Sequence, residues 1–366
     1  MMNESKVDKK LFIVIITLLL LGIAFSYSSS VFIAERLTGD DFFYIKNHLT
    51  GIAVGLFFMV FALLIDINII FQKKIIVTAL FFCLVSLAAV FIPGIGHRVA
   101  GARRWIEIGF IQFQPSEIVK VFIILYLSYI LSLKGERLYD FKKGVLPPLI
   151  LSMLLVLLVA LEPDLSTAVI ILGLAITVFF LAGIPFAHLI FIATLPIPFI
   201  VYMFETHALL FKRLFFINPY QQPNESGYHL IQSLVSFVKG GVFGRGPGGS
   251  LQKYFRLPDA HTNFVFAVIG EELGLVGAGI ILILFFFLTF RGIIIASRQP
   301  VFRNYLLASS ITVLITLQAL IHIMVNLGLV PTTGVPMPFL SYGRSSMVVN
   351  LFLCGLLLNL SRQQEQ

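Results

Sequence analysis

Hydrophobic residues fall along the chain in continuous blocks near 11–30, 49–67, 75–93, 115–133, 145–162, 165–183, 186–204, 264–290, 305–330 and 337–360. Each approaches or exceeds the roughly 20 residues a helix needs to cross the hydrocarbon of a bilayer, and none alternates as barrel strands do. The pattern predicts an all-α polytopic membrane protein of about ten transmembrane helices. Pro and Gly gather at block ends, as in Pro93-Gly94, Pro147-Pro148, Gly183-Ile184-Pro185 and Pro336-Met337-Pro338, where they punctuate helices. Because the blocks run from one end to the other, residues 1–366 read as a single membrane domain. It has short tails at 1–10 and 361–366 and one long polar interruption at 205–262.

Composition agrees: 58% of the residues are hydrophobic and 12% charged, against about 25% charged in a soluble domain, which excludes a cytosolic globule. The net charge of +8 comes without a basic run interleaved with aromatics, so it points to anionic lipid and phosphate and not to nucleic acid. An even number of spans puts both termini on one side. With the N-terminus inside, thirteen Lys and Arg lie in inner segments and twelve in outer ones, with Lys120 inside a span. Six of the outer twelve sit in 205–262, and long loops weigh little in the positive-inside rule. The remaining thirteen against six place both termini in the cytoplasm. Lys6, Lys9 and Lys10 before the first block resemble the start of a cleaved signal, but no small-x-small site follows, and the block is expected to be a retained span.

Three outer segments carry too much chemistry for connectors. Residues 93–117 hold Arg98, Arg103 and Arg104 beside the only Trp, Trp105. They read either as a membrane-surface hairpin with an interface anchor or as guanidinium donors for a phosphate or pyrophosphate. Glu117 and Lys120 follow on one face of the fourth helix, Lys120 roughly 8 Å in, either as a helix-locking pair or as part of a site, since intramembrane charge is a functional candidate by default. The loop 205–262 contains GGVFGRGPGGS, six glycines around one arginine, whose backbone N–H groups are able to approach an anion, or which simply form a flexible surface strip. The third segment, 331–346, is Pro-rich with a lone Arg344 and suits irregular backbone lining a cavity. Glu162, Asp164, Glu271 and Glu272 lie near the same face, each a cap, an ion-pair partner or part of a polar cavity. Cys83 and Cys354 lie inside apolar blocks and form no ligand cluster. No tight metal site is expected, although Mg²⁺ or Mn²⁺ held with a pyrophosphate is compatible with the carboxylates.

The stretches GARRWI at 101–106, QPSEIVK at 114–120, EPDLST at 162–167, GYHLIQSLVSFVKGGVFGRGPGGSLQK at 227–253, PDAHTNFVFAVIGEELG at 258–274 and PFLSYGRSS at 338–346 resemble, in order and over most of the chain, the SEDS proteins of bacterial cell-wall synthesis. GGSLQK leading into PDAHTN is closer to the division and sporulation branches of that family than to its elongation branch. The resemblance implies a ten-helix glycosyltransferase in the bacterial cytoplasmic membrane. It would polymerise lipid II, an undecaprenyl-pyrophosphate-linked disaccharide-pentapeptide, on the outer face. Expected partners are a class B penicillin-binding protein, other division proteins and membrane lipids. Arg103, Arg104, Glu117 and Lys120, with Gln232, Lys253, His261, Glu271, Ser341 and Ser345 in the matching motifs, become substrate-binding candidates. Two positions depart from the pattern. Asn263 stands where the family has its presumed catalytic Asp, and an amide cannot accept a proton at neutral pH. The nearest alternative base is Asp259. Arg344 stands where the family's SYGGSS has Gly. A lipid II-binding scaffold for the transpeptidase and a lipid flippase are the alternative readings.

Overall fold

A computed structural model of the chain describes residues 7–99, 102–108, 111–198, 201 and 227–363. Among these, every hydrophobic block holds a helix: α1 Lys9–Thr38, α2 Phe43–Leu64, α3 Lys73–Ala89, α4 Pro115–Ser132, α5 Leu146–Leu161, α6 Leu165–Leu181, α7 Phe186–Thr194, and, after α8 Tyr228–Gly240, α9 Val265–Ser297, α10 Phe302–Asn326 and α11 Arg344–Ser361. Seven of the segments, α1, α2, α4, α5 with the turn before it, α9, α10 and α11, are long and apolar enough to cross a membrane. The chain is a polytopic helical membrane protein. α3 and α6 have 17 residues each, and the block begun by α7 continues into residues outside the described ones.

Local chemistry sets the helix starts. The Asp8 carboxylate caps α1 by accepting from the Lys10 and Leu11 amides at 3.0 Å each, Pro115 opens α4, and Asp164 caps α6 through the Thr167 amide at 3.2 Å. α4, α10 and α11 form the centre of the bundle. α2 lies against α11 by virtue of small residues, since a Cβ on Gly355 would stand 2.3 Å from the Met59 carbonyl oxygen. Lipid offers no hydrophobic drive between helices, so such close backbone approach is what holds them.

The two ends of the bundle differ. At one, the Asp8 amide donates to Ser361 Oγ at 3.0 Å, Arg291 pairs with the Asp8 carboxylate, and Asn359 Nδ2 donates to the Ala62 and Ile65 carbonyls at 2.9 and 2.7 Å. Both described chain ends therefore meet there. The other end carries the three charged segments, and these correct the all-helical expectation locally. Residues 96–113 form a three-stranded antiparallel sheet, β1 Gly96–Val99, β2 Ala102–Ile108 and β3 Ile111–Phe113, with Trp105 opposite His97 and Glu107 opposite Gln112. The long loop contains α8 and a short helix, Gln252–Phe255. The last span begins at Arg344, later than the hydrophobic block, because 331–343 is irregular backbone punctuated by Pro331, Pro336 and Pro338.

α9 is not one straight helix. Gly274, at φ 67° and ψ −163°, breaks it two turns in. The backbone groups freed there are met by the glycine strip: Arg245 and Gly246 amides donate to the Glu271 and Glu272 carbonyls at 3.0 and 2.9 Å, and the Leu275 and Val276 amides donate to Gly241 and Val242 at 2.9 and 3.1 Å. The strip's glycines permit this approach; a Cβ on Gly240 would stand 2.0 Å from the Gly270 carbonyl oxygen. Two of the N–H groups expected for an anion thus serve the α9 kink instead.

Candidate functional site

The turn before α9 carries Asp259, His261 and Asn263. Asp259 adopts the left-handed region, φ 53°, which a short polar side chain tolerates. Its carbonyl gathers the amides of Thr262, Asn263 and Phe264 at 3.1, 2.9 and 3.3 Å. The irregular segment clamps this turn from one side, Ser341 Oγ donating to the Thr262 carbonyl at 2.7 Å and the Tyr342 amide to the His261 carbonyl at 2.9 Å. From the other, Asn326 Nδ2 donates to the Asn263 carbonyl at 3.0 Å while its Oδ1 accepts from the Ala267 amide at 3.0 Å. The Asn263 backbone is fixed by these bonds. The residue is partly exposed, and its side-chain amide makes no hydrogen bond among the described residues; Gly334 beside it has no side chain to fill the space.

His261 is buried against Tyr44, ring centroids 4.7 Å apart, and Tyr342, 5.6 Å. Burial pushes its imidazole down to about 4 against the opposing influence of Asp259, so it is neutral at pH 7. Asp259 itself is exposed. An exposed carboxylate and a neutral imidazole thus share the turn with Asn263.

Beside this turn, the two α9 carboxylates are consumed internally. Glu271 accepts from Ser250 Oγ at 2.6 Å and from the Leu251 and Gln252 amides at 3.1 and 3.3 Å, with Arg245 3.9 Å away. Glu272 accepts from Lys253 Nζ and Ser28 Oγ, both at 2.6 Å. Together they hold residues 245–253 against α1 and α9. Glu271 and Lys253, predicted as substrate contacts, are structural ties in this arrangement. Gln232 sits half-buried on α8, its carbonyl accepting from Ser236 Oγ at 3.1 Å.

Arg104 and Lys120 are likewise engaged. Arg104 donates to the carbonyls of Glu162, at 3.3 Å, and Pro163, closing the end of α5 onto the sheet. Lys120 lies 2.7 Å from both Glu117 carboxylate oxygens, the pair almost fully buried. Arg103 is half-buried with no partner for its Nε among the described residues. Glu162 is fully buried, and neither of its carboxylate oxygens has a hydrogen-bond partner among those residues. A cavity of about 370 Å³ opens between α2, β3, α4 and α11, with Glu117, Gln112, Gln114, Arg344 and Ser345 in its wall. Ser345 Oγ accepts from the Gln114 amide at 3.2 Å, Gln114 Nε2 donates to Asp164 at 2.9 Å, and Arg344 Nη2 donates to Gln112 Oε1 at 3.0 Å.

The structure thus brings Asn263, Asp259 and His261 together in one turn clamped by Ser341, and Glu117 and Ser345 into the wall of one cavity, with Lys120 behind Glu117. It separates out Glu271, Lys253 and Arg104 as structural contacts. The sequence reading missed Asn326, which anchors the Asn263 turn. The available signal was Gln318, His322 and Asn326, polar residues at a spacing of four inside an apolar block, hence on one buried helix face. Tyr44 and Gln112 carried no signal of this kind.

Comparison with known proteins fits this picture. The FtsW/RodA/SpoVE family, described as cell cycle proteins, matches residues 9–366. Stage V sporulation protein E of Bacillus subtilis is 38% identical, over 99% of both chains. The probable peptidoglycan glycosyltransferase FtsW of Trichlorobacter lovleyi is 37% identical, over 98% of this chain and 93% of that one. Among solved structures, a chain of a peptidoglycan synthase complex that coordinates polymerization and crosslinking superposes with a TM-score of 0.79, at 26% identity, over 98% of this chain and 99% of that one. The rod shape determining protein RodA of Thermus thermophilus superposes with a TM-score of 0.71 at 25% identity, over 98% of each chain. With the motifs in order, the fold shared and the match running almost from end to end, this chain belongs to the FtsW/RodA/SpoVE family of cell cycle proteins.

Proposed function

We propose that the chain is a peptidoglycan glycosyltransferase that polymerises lipid II at the end of the bundle carrying the sheet, the long loop and the 331–343 segment. That end faces the outside of the bacterial cytoplasmic membrane, and both termini lie in the cytoplasm. The reading rests on one observation above the others: a partly exposed side chain at 263, its backbone held by Asn326 and by the Asp259 carbonyl and its amide left free among the described residues, stands where the family pattern places a carboxylate. Such a position suits a group that must meet a substrate hydroxyl in a set geometry.

Displacing an α-linked pyrophosphate to form a β-linkage needs attack from the opposite face and removal of a proton from the acceptor hydroxyl. Asn263 is able to orient that hydroxyl but not to deprotonate it. Asp259, exposed in the same turn, is the carboxylate that takes the proton in this chain. Arg103 supplies a guanidinium to the pyrophosphate, while Arg104 and Lys120 act by holding the sheet and the Glu117 carboxylate in place. Among the described residues no three His, Cys, Asp or Glu side chains group as a metal site; Mg²⁺ or Mn²⁺ at this site would be held chiefly by the pyrophosphate oxygens. A class B penicillin-binding protein is the partner that would cross-link the product, with the other division proteins around it.

The absence of a carboxylate at 263 favours one second reading, a lipid II-binding scaffold for that partner. Purified protein incubated with lipid II separates the two. Polymer from the chain as it stands, lost in Asp259→Asn, supports the polymerase with Asp259 as base. Binding without polymer, converted to polymer by Asn263→Asp with a gain of about 10²–10⁴ in rate, identifies the scaffold. Activity that survives Asp259→Asn removes Asp259 from the mechanism.

A further inference from the structure

Arg344 is the residue by which this chain departs from the family's SYGGSS, and the fold gives it a setting. It is the first residue of α11. No carboxylate lies within 4 Å of its guanidinium among the described residues, and its one hydrogen bond there is to the neutral Gln112 amide. The stem of Arg344 rests on Gly51 of α2: a Cβ on Gly51 would stand 3.2 Å from Arg344 Cα and 3.3 Å from its Cγ. The position is thus accommodated from across the interface, and Arg344 and its hydrogen-bond partner Gln112 both line the cavity.

The cavity wall is chiefly apolar. Val54, Ile118, Val348 and Val349 line it, and Thr50, Gln112, Gln114, Ser345 and Arg344 contribute its few polar atoms. Glu117 also lines it, but its carboxylate is buried against Lys120 at 2.7 Å, which neutralises that charge. The net charge offered to a ligand is therefore the guanidinium's. Gly51 lies about 12 Å along α2 from Phe43, at 1.5 Å per residue, so the cavity sits at outer-leaflet depth under the orientation proposed above. A volume of about 370 Å³ falls within the ~300–1,000 Å³ of small-ligand sites, enough for a head group and the first part of a chain. It is also linked to the Asn263 turn, since Tyr342, two residues before Arg344, donates its amide to His261.

We propose that Arg344 binds the phosphate of a phosphate-headed polyprenyl lipid, with the chain's first isoprenes on the valine-lined part of the cavity. This deepens the proposed function by assigning the lipid-pyrophosphate end of the substrate or product to α2, α4 and α11. Guanidinium matches phosphate oxygens in paired geometry, and the low-dielectric surroundings strengthen the contact. A bilayer phospholipid offers the same phosphate, and the test separates the two sources.

The full chain, purified in a phosphate-free maltoside detergent, is titrated with undecaprenyl pyrophosphate. Wild type, Arg344→Met, which keeps the stem, and Arg344→Lys, which keeps the charge, are compared at matched thermal stability. Arg344→Met is expected to bind at least about ten-fold more weakly, the lower end for a hydrogen bond to a charged group. Arg344→Lys should fall between, and undecaprenol, which lacks phosphate, should not distinguish the three. Equal binding of undecaprenyl pyrophosphate by wild type and Arg344→Met overturns the proposal, as does its displacement by an equal amount of phosphatidylglycerol, which would make the site a phospholipid site. Polymerisation is scored separately: a chain that makes polymer but binds through Arg344→Met unchanged defeats this inference alone, and a chain that makes none defeats the proposed function alone.

Discussion

Lys253 and Glu272 make a buried ion pair whose worth is open to measurement. Lys253 Nζ contacts Glu272 at 2.6 Å, Ser28 Oγ at 2.8 Å and the Gly248 carbonyl at 3.0 Å, and both charged residues are nearly inaccessible. Lys253→Met removes the cation and leaves a buried carboxylate with only the Ser28 hydroxyl. Breaking such a pair from one side costs about 3–5 kcal/mol. Glu272→Met strands the ammonium on one hydroxyl and one carbonyl at a similar cost. In the double variant no charge remains; two apolar side chains fill comparable volume, and the residual penalty is an unpaired Gly248 carbonyl and Ser28 hydroxyl, about 1–3 kcal/mol each at most. The double should therefore be more stable than either single, with a coupling of several kcal/mol. Fluorescence-detected size exclusion after heating, in one detergent, ranks the four proteins. If the double loses as much as the two singles together, the pair is not the tie between α1, the glycine strip and α9 that the geometry indicates.

Three further outcomes follow from particular residues. His261 is held neutral with its imidazole near 4, below the ~6.5 of an unfolded chain; the unfolded state binds the extra proton between those values, so stability should fall as pH drops from about 6.5 toward 4, and His261→Gln should flatten that slope in pH-resolved melting. Gly240→Ala drives a Cβ against the Gly270 carbonyl and should cost about 1–3 kcal/mol, whereas Gly279→Ala on α9 meets nothing within 4 Å and should gain about 0.5–1 kcal/mol; equal melting temperatures would contradict the packing described. In intact cells Gly94→Cys should react with an impermeant thiol reagent and Lys142→Cys should not, and the reverse would invert the orientation.

The spans were legible because lipid demands long apolar runs, and helix existence follows from that alone. Their ends were not. α1 extends to Thr38 through Glu35 and Arg36, which read as loop in hydropathy but are exposed at the end of the helix. At 96–113 the sequence offered a surface hairpin as one reading, but strands only three to seven residues long left the third strand and the register unread. Motif alone did not separate Glu271, whose carboxylate is spent on three donors, from Asn263, whose side-chain amide is free among the described residues. That difference depends on partners far away in sequence, Ser250 for one and Asn326 and Ser341 for the other. Arg344 was visible as a departure; that Gly51 makes room for it was not, because the two are 293 positions apart.

The bond from Ser28 to Glu272 spans 244 residues, which has a consequence for biogenesis. At a synthesis rate of about 5–20 residues per second, roughly 12 to 50 s separate the emergence of the two. Throughout that interval α1 stands in the membrane with Ser26, Ser28, Ser29 and Ser30 on it and without its late-made neighbours. Ser29 shelters itself by donating to the Phe25 carbonyl at 2.6 Å, a bond within its own helix. Ser28 cannot reach its final partner until α9 has been threaded into place, so the earliest-made of the described helices is among the last to be finished.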